Sequence, residues 1–354
     1  MRFLVITPSI GGKDGVSCLS RRVALTIAEL EIVDDVTVWS LAGENGSIPE
    51  LNHAGVSVRG ARDGKARLVT WSLSRLATDC RGLTVVVMHA HLAPLSLPLH
   101  GRGARVFHIL HGIEAWKRLT RLQARAFSVA ERLVCVSAYS ERCFDDVNPG
   151  FDHTIVCHSG LPDRACDGDY GDDGFALMVG RMASSERYKG HDVLLDVWPK
   201  ILAEAPHAKL VIVGDGDDQS RLIAKTKALG VSDAVRFTGT LPDEELERLY
   251  CRCSFFVMPS VNEGFGLVFL EAMRAAKACI GGVGAAAEII EHGSTGYIVD
   301  PSDGAAVSRS IVELFTEPER RAAMGERGRE RFECHFTSEC FRERLREALS
   351  LNRA

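Results

Sequence analysis

The stretch PSVNEGFGLVFLEAM, residues 259–273, sets a proline, an acid and two glycines directly before an apolar run shaped like a helix. A second acid, Glu271, lies inside that run. Gly264 and Gly266 admit backbone geometries and close approaches that a side chain would obstruct. A helix starting near Gly266 leaves its first amides unpaired and carries a positive dipole end, which suits an anion or a hydroxyl. Glu263, in the loop, is placed to accept hydrogen bonds from sugar hydroxyls, and Glu271, a turn or more into the helix, to reach a ribose diol. The plainer reading makes Glu263 a solvated loop acid and Glu271 a helix-surface acid. Against it, Leu267, Val268, Leu270 and Met273 make most faces of the helix apolar, so Glu271 points somewhere specific.

The run before this loop, SFFVMPS (254–260), is one of a series of short apolar segments bounded by polar or glycine signals. FLVIT (3–7), VTVWS (36–40), LTVVVMHA (83–90), ARVFHIL (104–110), RLVCVS (132–137) and TIVCHSG (154–160) precede it. Helical patterns fall between several of them, notably at 18–30 and 119–130. Continuous apolar strands alternating with helices predict a parallel sheet covered on both faces. Residues 162–174, PDRACDGDYGDDG, are acidic, rich in glycine and poor in large apolar side chains, and read as a connection between domains. A second alternation follows, with strands at 175–180, 208–214, 234–239, 254–260, 278–282 and 297–299 and helices near 191–204, 217–229, 243–251 and 266–276. The fold class is therefore α/β, two doubly wound Rossmann-like units in series, the first over 1–165 and the second over 166–335. Ligands of such sheets bind outside the carboxyl ends of the strands.

The bulk composition agrees. A chain of 354 residues exceeds one ordinary core. Residues 1–170 carry 19 Lys and Arg against 18 Asp and Glu, and the remainder 23 against 29, with no basic stripe of the kind nucleic acid demands. Most of the 11 cysteines sit singly in apolar runs, and none stands at zinc-site spacing, so free thiols, no metal and a reducing cytoplasmic setting are expected. The N-terminus lacks the apolar core of a signal peptide. No run reaches the length of about 18 apolar residues that spans a membrane.

Three other strand-end loops carry candidate chemistry. GRMASSERYKG (180–190) delivers Arg181 and Lys189 from one loop, a planar fork and a point charge that suit a diphosphate; the alternative is two exposed surface cations. TPSIGGKDGVSCLSRR (7–22) holds Gly11, Gly12 and Gly15 before the first helix, either a phosphate-approaching loop or a structural turn. ILHGIEAWKRLTRLQARAF (109–127) puts His111 past a strand end, as MHAHL does for His89 and His91. The same stretch sets Lys117, Arg118, Arg121 and Arg125 on one helix face, either solvated or resting on anionic lipid headgroups.

Together, GRMASSERYKGHDVLL, PSVNEGFGLVFLEAM and the glycine-bearing first loop resemble the retaining glycosyltransferases of the GT-B fold, in family four, the glycosyl group-1 transferases. The resemblance covers nearly the whole chain and is tightest in the second half. It implies two Rossmann-like domains facing across a cleft, the first binding acceptor and the second the nucleotide sugar, with a last helix at about 336–354 packing back on the first. It implies that Arg181 and Lys189 neutralise the donor diphosphate and that Glu263 holds hydroxyls of the transferred sugar. Gly264 and the amides of Phe265, Gly266 and Leu267 would lie near sugar and phosphate, and Glu271 would bind the ribose. Gly12 and Gly15 would let the first loop approach the diphosphate, and His111 would sit beside the sugar. The segment Arg236–Gly239, with Phe237 and Gly239, would edge the base. Lys13-Asp14-Gly15 stands where many relatives have a tighter Gly-Gly pair.

The expected activity is a metal-independent retaining hexosyl transfer from a UDP- or GDP-sugar to a glycan or lipid-linked acceptor, in exopolysaccharide, lipopolysaccharide or glycolipid synthesis. It would work in the cytoplasm, at the inner face of the plasma membrane if the basic face meets lipid, and without nucleic acid. Two competing readings are a hydrolase or phosphorylase using Glu263 and Glu271 as its carboxylate pair, and a non-catalytic nucleotide-sugar binder. Two acids from one loop-helix element flank a single bond poorly.

Overall fold

The structure, a computed structural model, describes residues 1–12, 14–43, 48–164, 166 and 171–351. Lys13, part of the connecting stretch 162–174 and the end of the expected last helix, 352–354, lie outside the described residues. The chain divides into two units, residues 1–159 with 341–354, and residues 160–340.

In the first unit, β1 (Arg2–Thr7), β2 (Asp35–Ser40), β3 (Ser57–Gly60), β4 (Leu83–Val87), β5 (Arg105–Leu110), β6 (Arg132–Cys135) and β7 (Thr154–Val156) form one sheet in the order β3-β2-β1-β4-β5-β6-β7. Every pairing in it is parallel. Val5 of β1 stands between Val38 of β2 and Val86 of β4, and all three are fully buried. Runs of β-branched residues fit this central position because both faces are covered. β3 went unread in the sequence: SVRG is four residues at the sheet edge, with only Gly60 buried. The strand order turns back between β1 and β4. From Phe341 onward the last helix, Ser338–Ala348, belongs to this unit. Its end accepts hydrogen bonds from Arg105 to the Leu349 carbonyl and from Arg132 to the Glu347 carbonyl, and Arg342 pairs with Glu29 at 2.6 Å.

The second unit repeats the plan with β8 (Phe175–Val179), β9 (Lys209–Val213), β10 (Val235–Phe237), β11 (Phe255–Met258), β12 (Cys279–Gly282) and β13 (Gly296–Val299), ordered β10-β9-β8-β11-β12-β13 and wholly parallel. Here the order turns back between β8 and β11. Both of the strand-end loops that attracted attention in the sequence, 180–190 and 259–266, therefore leave the sheet at its switch point, where doubly wound folds bind ligands.

One expectation is corrected. Cys251 is not a free thiol: it forms a disulfide with Cys166, 85 residues away. The turn of chain after β7 brings Cys166 onto the helix Asp243–Arg252, a proximity that sequence spacing does not reveal. No helix of the described residues is long and apolar enough to cross a membrane.

Candidate functional site

The loop after β8 runs from Gly180 into a short 3-10 turn, Ser184–Lys189, and then into the helix His191–Glu204. It is fastened to the loop after β11 at two points. The Val261 N–H donates to the Tyr188 carbonyl at 3.0 Å. Gly190, in the left-handed region at φ +91°, lies so close to Pro259 that a Cβ would stand 2.5 Å from its carbonyl oxygen. Only glycine satisfies both the dihedral and the contact.

Between these loops the expected residues meet. One carboxylate, Glu186, bridges the two cations: Arg181 Nη2 donates to Oε1, and Lys189 Nζ lies 3.0 Å from Oε2. Burial works against the charge of Glu186, but Lys189 and Arg181 outweigh it and hold the carboxyl below its ordinary range. Burial pushes the Glu263 carboxyl up, against the pull of Lys189 and with the help of Glu186. Arg181, Lys189, Glu186 and Glu263 thus form one electrostatic cluster at the tips of β8 and β11.

The helix Leu267–Arg274 begins beside this cluster. Its N-cap, Gly266, has φ +94° and offers no side chain to the first turn. A Cβ there would meet the Phe269 ring at 2.6 Å and Glu263 Cγ at 3.4 Å, so Glu263 lies directly over the helix start. Phe265 is buried, while Gly264 and Leu267 are half-buried. Glu271 does point somewhere specific: its Oε2 accepts a hydrogen bond from the Tyr250 hydroxyl at 2.7 Å. Burial and the adjacent Glu271 push the Tyr250 phenol well up, so it stays protonated and donates. Ser260 Oγ, buried in the same loop, has no hydrogen-bond partner among the described residues.

Phe237 ends β10, and Gly239 follows at φ +71°, its carbonyl accepting from the Gly214 N–H at 3.0 Å. Phe237 and Thr238 line a groove of about 540 Å³ with Leu241, Arg236 and Arg248. A larger groove, about 870 Å³, lies at the amino ends of the strands around Lys209, Ala234 and Ser254. That is the opposite end from the clustered charges, and it takes no part in the site.

In the first unit the loop after β1 is braced by Arg21, which donates to the carbonyls of Ile10 at 2.7 Å and Gly12 at 2.6 Å. Asp14 caps the helix Gly15–Ala28, accepting from the amides of Val16 and Ser17. Gly15 is the exposed first residue of that helix, with no atom close to where a Cβ would stand. The helix start is thus already answered by a carboxylate. Past β5, the His111 N–H donates to Glu114 Oε1 at 2.7 Å, and burial lowers the pKa of the ring. Its Nε2 is buried and has no partner among the described residues. His89 lies in the same group; its Nδ1 accepts from the His91 N–H, and burial brings its pKa down to about 4.

Sequence reasoning overlooked Glu186 and Tyr250. The i,i+3 spacing of Glu186 to Lys189 was a signal, because it puts the acid within reach of the lysine on a tight turn. Tyr250 offered none, since only the fold brings it to Glu271. Among the described residues no group of three or more His, Cys, Asp or Glu side chains is placed to hold a metal ion.

Comparison with known proteins adds the following. Residues 163–331 match the family model of glycosyl transferases group 1. Over 168 residues the chain is 34% identical to the GDP-mannose-dependent monoacylated alpha-(1-6)-phosphatidylinositol monomannoside mannosyltransferase of Corynebacterium glutamicum, covering 46% of this chain and 44% of that one. It is 33% identical over 168 residues to the lipopolysaccharide core biosynthesis mannosyltransferase LpcC of Rhizobium leguminosarum, covering 46% and 47%. The chain thus spans less than half the length of these curated relatives. Among solved structures, Anabaena HepE in complex with UDP and glucose superposes with a TM-score of 0.79 at 18% identity, covering 99% of this chain and 100% of that one.

Proposed function

We propose that this chain, whose residues 163–331 belong to the glycosyl transferases group 1 family and whose fold is that of the GT-B glycosyltransferases, transfers a hexose from a nucleotide-diphosphate donor, a UDP- or GDP-sugar, to a glycan or lipid-linked acceptor. The observation that carries this reading is the meeting of Arg181, Lys189 and Glu263 at the switch point of the second sheet. The reaction breaks the C–O bond between sugar and diphosphate while positive charge builds on the sugar ring. Arg181 and Lys189 stabilise the departing diphosphate, and fixed charges do this best where water is excluded. The uncapped start of the helix Leu267–Arg274 adds its amides and dipole, with Gly264 leaving room for the phosphate. Glu263 holds hydroxyls of the transferred sugar.

Glu271, oriented by Tyr250, takes the ribose, and the edge Phe237–Gly239 takes the base. Two cations already supply the charge that a metal would bring, so the reaction proceeds without one. Retention follows from front-face attack or a short-lived ion pair. Engagement of Glu271 by Tyr250 speaks against a hydrolytic pair of Glu263 and Glu271. The relatives' names, one GDP-mannose-dependent and one in complex with UDP, support the donor class, and two of them name lipid or lipopolysaccharide acceptors. Lys117, Arg118, Arg121, Leu122 and Arg125 are exposed, and only the last three lie on the helix Arg121–Ser128, rather than all four cations on one helix face. This basic stretch is the part that meets an anionic membrane.

A panel of nucleotide sugars tests the donor. One ligand at 100 times its Kd should stabilise the fold by about 2.7 kcal/mol. The stabilising donor should then give transfer with and without a chelator, and cosedimentation with anionic vesicles should weaken when the four basic residues are replaced. A chain that no UDP- or GDP-sugar stabilises is not this enzyme.

A further inference from the structure

We infer that Glu186 competes with the donor's diphosphate for Arg181 and Lys189, and so sets how tightly nucleoside diphosphate is held and how fast it leaves. This rests on the reading of those two cations as the diphosphate pair.

The geometry is that of a substitute ligand. Glu186 gives one oxygen to each cation, as a phosphoryl group would give two of its own. The carboxylate is only 13% exposed and Lys189 only 17%, so their contact is sheltered from water that would otherwise weaken it, whereas Arg181 is 58% exposed. The turn itself is held in place from another side. Ser184 is tied to Asp217 through its N–H at 2.8 Å and its hydroxyl at 2.6 Å. Arg187 is tied to Asp218 at 2.9 Å. Ser184 and Arg187 thus anchor the turn to the loop after β9, while Glu186 engages Arg181 and Lys189 instead.

Charge balance explains the consequence. Arg181 and Lys189 are matched in direct contact by Glu186, with the buried Glu263 beside them. A diphosphate brings at least two further negative charges, which the cluster accommodates when Glu186 gives up its cations. After transfer the same carboxylate returns to them and helps to expel the product. Release of product commonly limits turnover, which makes such a competitor useful.

The test is titration calorimetry with inorganic pyrophosphate, UDP, GDP and the two nucleosides on wild type, Glu186→Gln, Glu186→Asp and Lys189→Ala. Glu186→Gln should bind pyrophosphate and its nucleoside diphosphate about fivefold more tightly, the worth of one partly sheltered ion pair. Nucleosides, which have no phosphate, should bind unchanged. Glu186→Asp, charged but too short to bridge, should fall between. A purely structural Glu186 would instead weaken every ligand and lower Tm in both variants. Pyrophosphate binding no tighter in folded Glu186→Gln, with Lys189→Ala clearly weakened, overturns this inference alone. Unaltered binding by Lys189→Ala removes the cation pair itself, and both readings fall.

Discussion

Gly190 touches Pro259 across the switch point of the second sheet, at a distance that leaves no room for a Cβ. The contact ties the loop carrying Lys189 to the loop carrying Glu263. The Tyr188 carbonyl, accepting from the Val261 N–H, reinforces it two residues away on each loop. The relative position of cation and acid is therefore a property of packed backbone, not of two long side chains finding each other.

Gly190→Ala should accordingly cost about 2 kcal/mol or more, combining a left-handed dihedral with a displaced carbonyl. Urea denaturation measures the loss. Donor affinity should fall with it, because the two loops separate. A variant within about 0.5 kcal/mol of wild type, an ordinary surface effect, would mean that the loops are not locked here.

Lys189→Ala should lower turnover by about 10²-fold or more, as for other single contacts to developing charge. The loss should appear in kcat, since the diphosphate is most negative as the bond breaks. Steady-state rates that change only in KM would make the lysine a ground-state binder.

Tyr250→Phe deletes a hydroxyl and nothing else. Glu271 then loses the donor that orients it, at a cost of about 1.5–3 kcal/mol for a hydrogen bond to a charged group. Nucleoside binding should weaken severalfold while pyrophosphate binding stays the same. Equal weakening of both ligands would separate Glu271 from the ribose.

The Cys166–Cys251 disulfide closes a long loop, which predicts a loss of about 2–4 kcal/mol on reduction. Dithiothreitol should shift the urea midpoint of the wild type but not that of Cys251→Ser. Coincident midpoints with and without reductant would show that the bond does not form in solution.

Legibility followed the physics of each element. The fully buried strands announced themselves, because an apolar run between glycines has few other uses, and the helix near 191–204 was read with its observed bounds, His191–Glu204. β3 was invisible because an edge strand need not be apolar. The helices Gly304–Thr316 and Pro318–His335 were not placed either, although Pro318 at a first helical position is a start signal. At the site, Arg181, Lys189 and Glu263 were legible from strand-end position and residue type. Glu186 was signalled only by its i,i+3 spacing to Lys189, since an acid between two cations otherwise reads as ordinary loop polarity. Gly15 begins the helix that Asp14 caps, a role its glycine identity does not announce.

His108 gives the pH dependence of stability. It lies on β5, 1% exposed, with Nε2 donating to the Ala126 carbonyl at 3.2 Å and the Phe127 ring 4.9 Å away. Burial, with His153 nearby, brings its pKa down to about 3, so the folded protein keeps it neutral while the unfolded chain protonates it near 6.5. Between those values the unfolded state binds more protons, and stability therefore falls as pH falls, by up to about 1.4 kcal/mol per unit. Above 6.5 the contribution is complete and flat. His89 and His191, each brought down to about 4 by burial, act in the same direction. Glutamine at position 108 keeps a donor for Ala126 but cannot titrate. Urea denaturation at pH 7 and pH 5 should show His108→Gln losing about 1–2 kcal/mol less than wild type over that interval. Parallel losses in the two proteins would mean that His108 is protonated without unfolding.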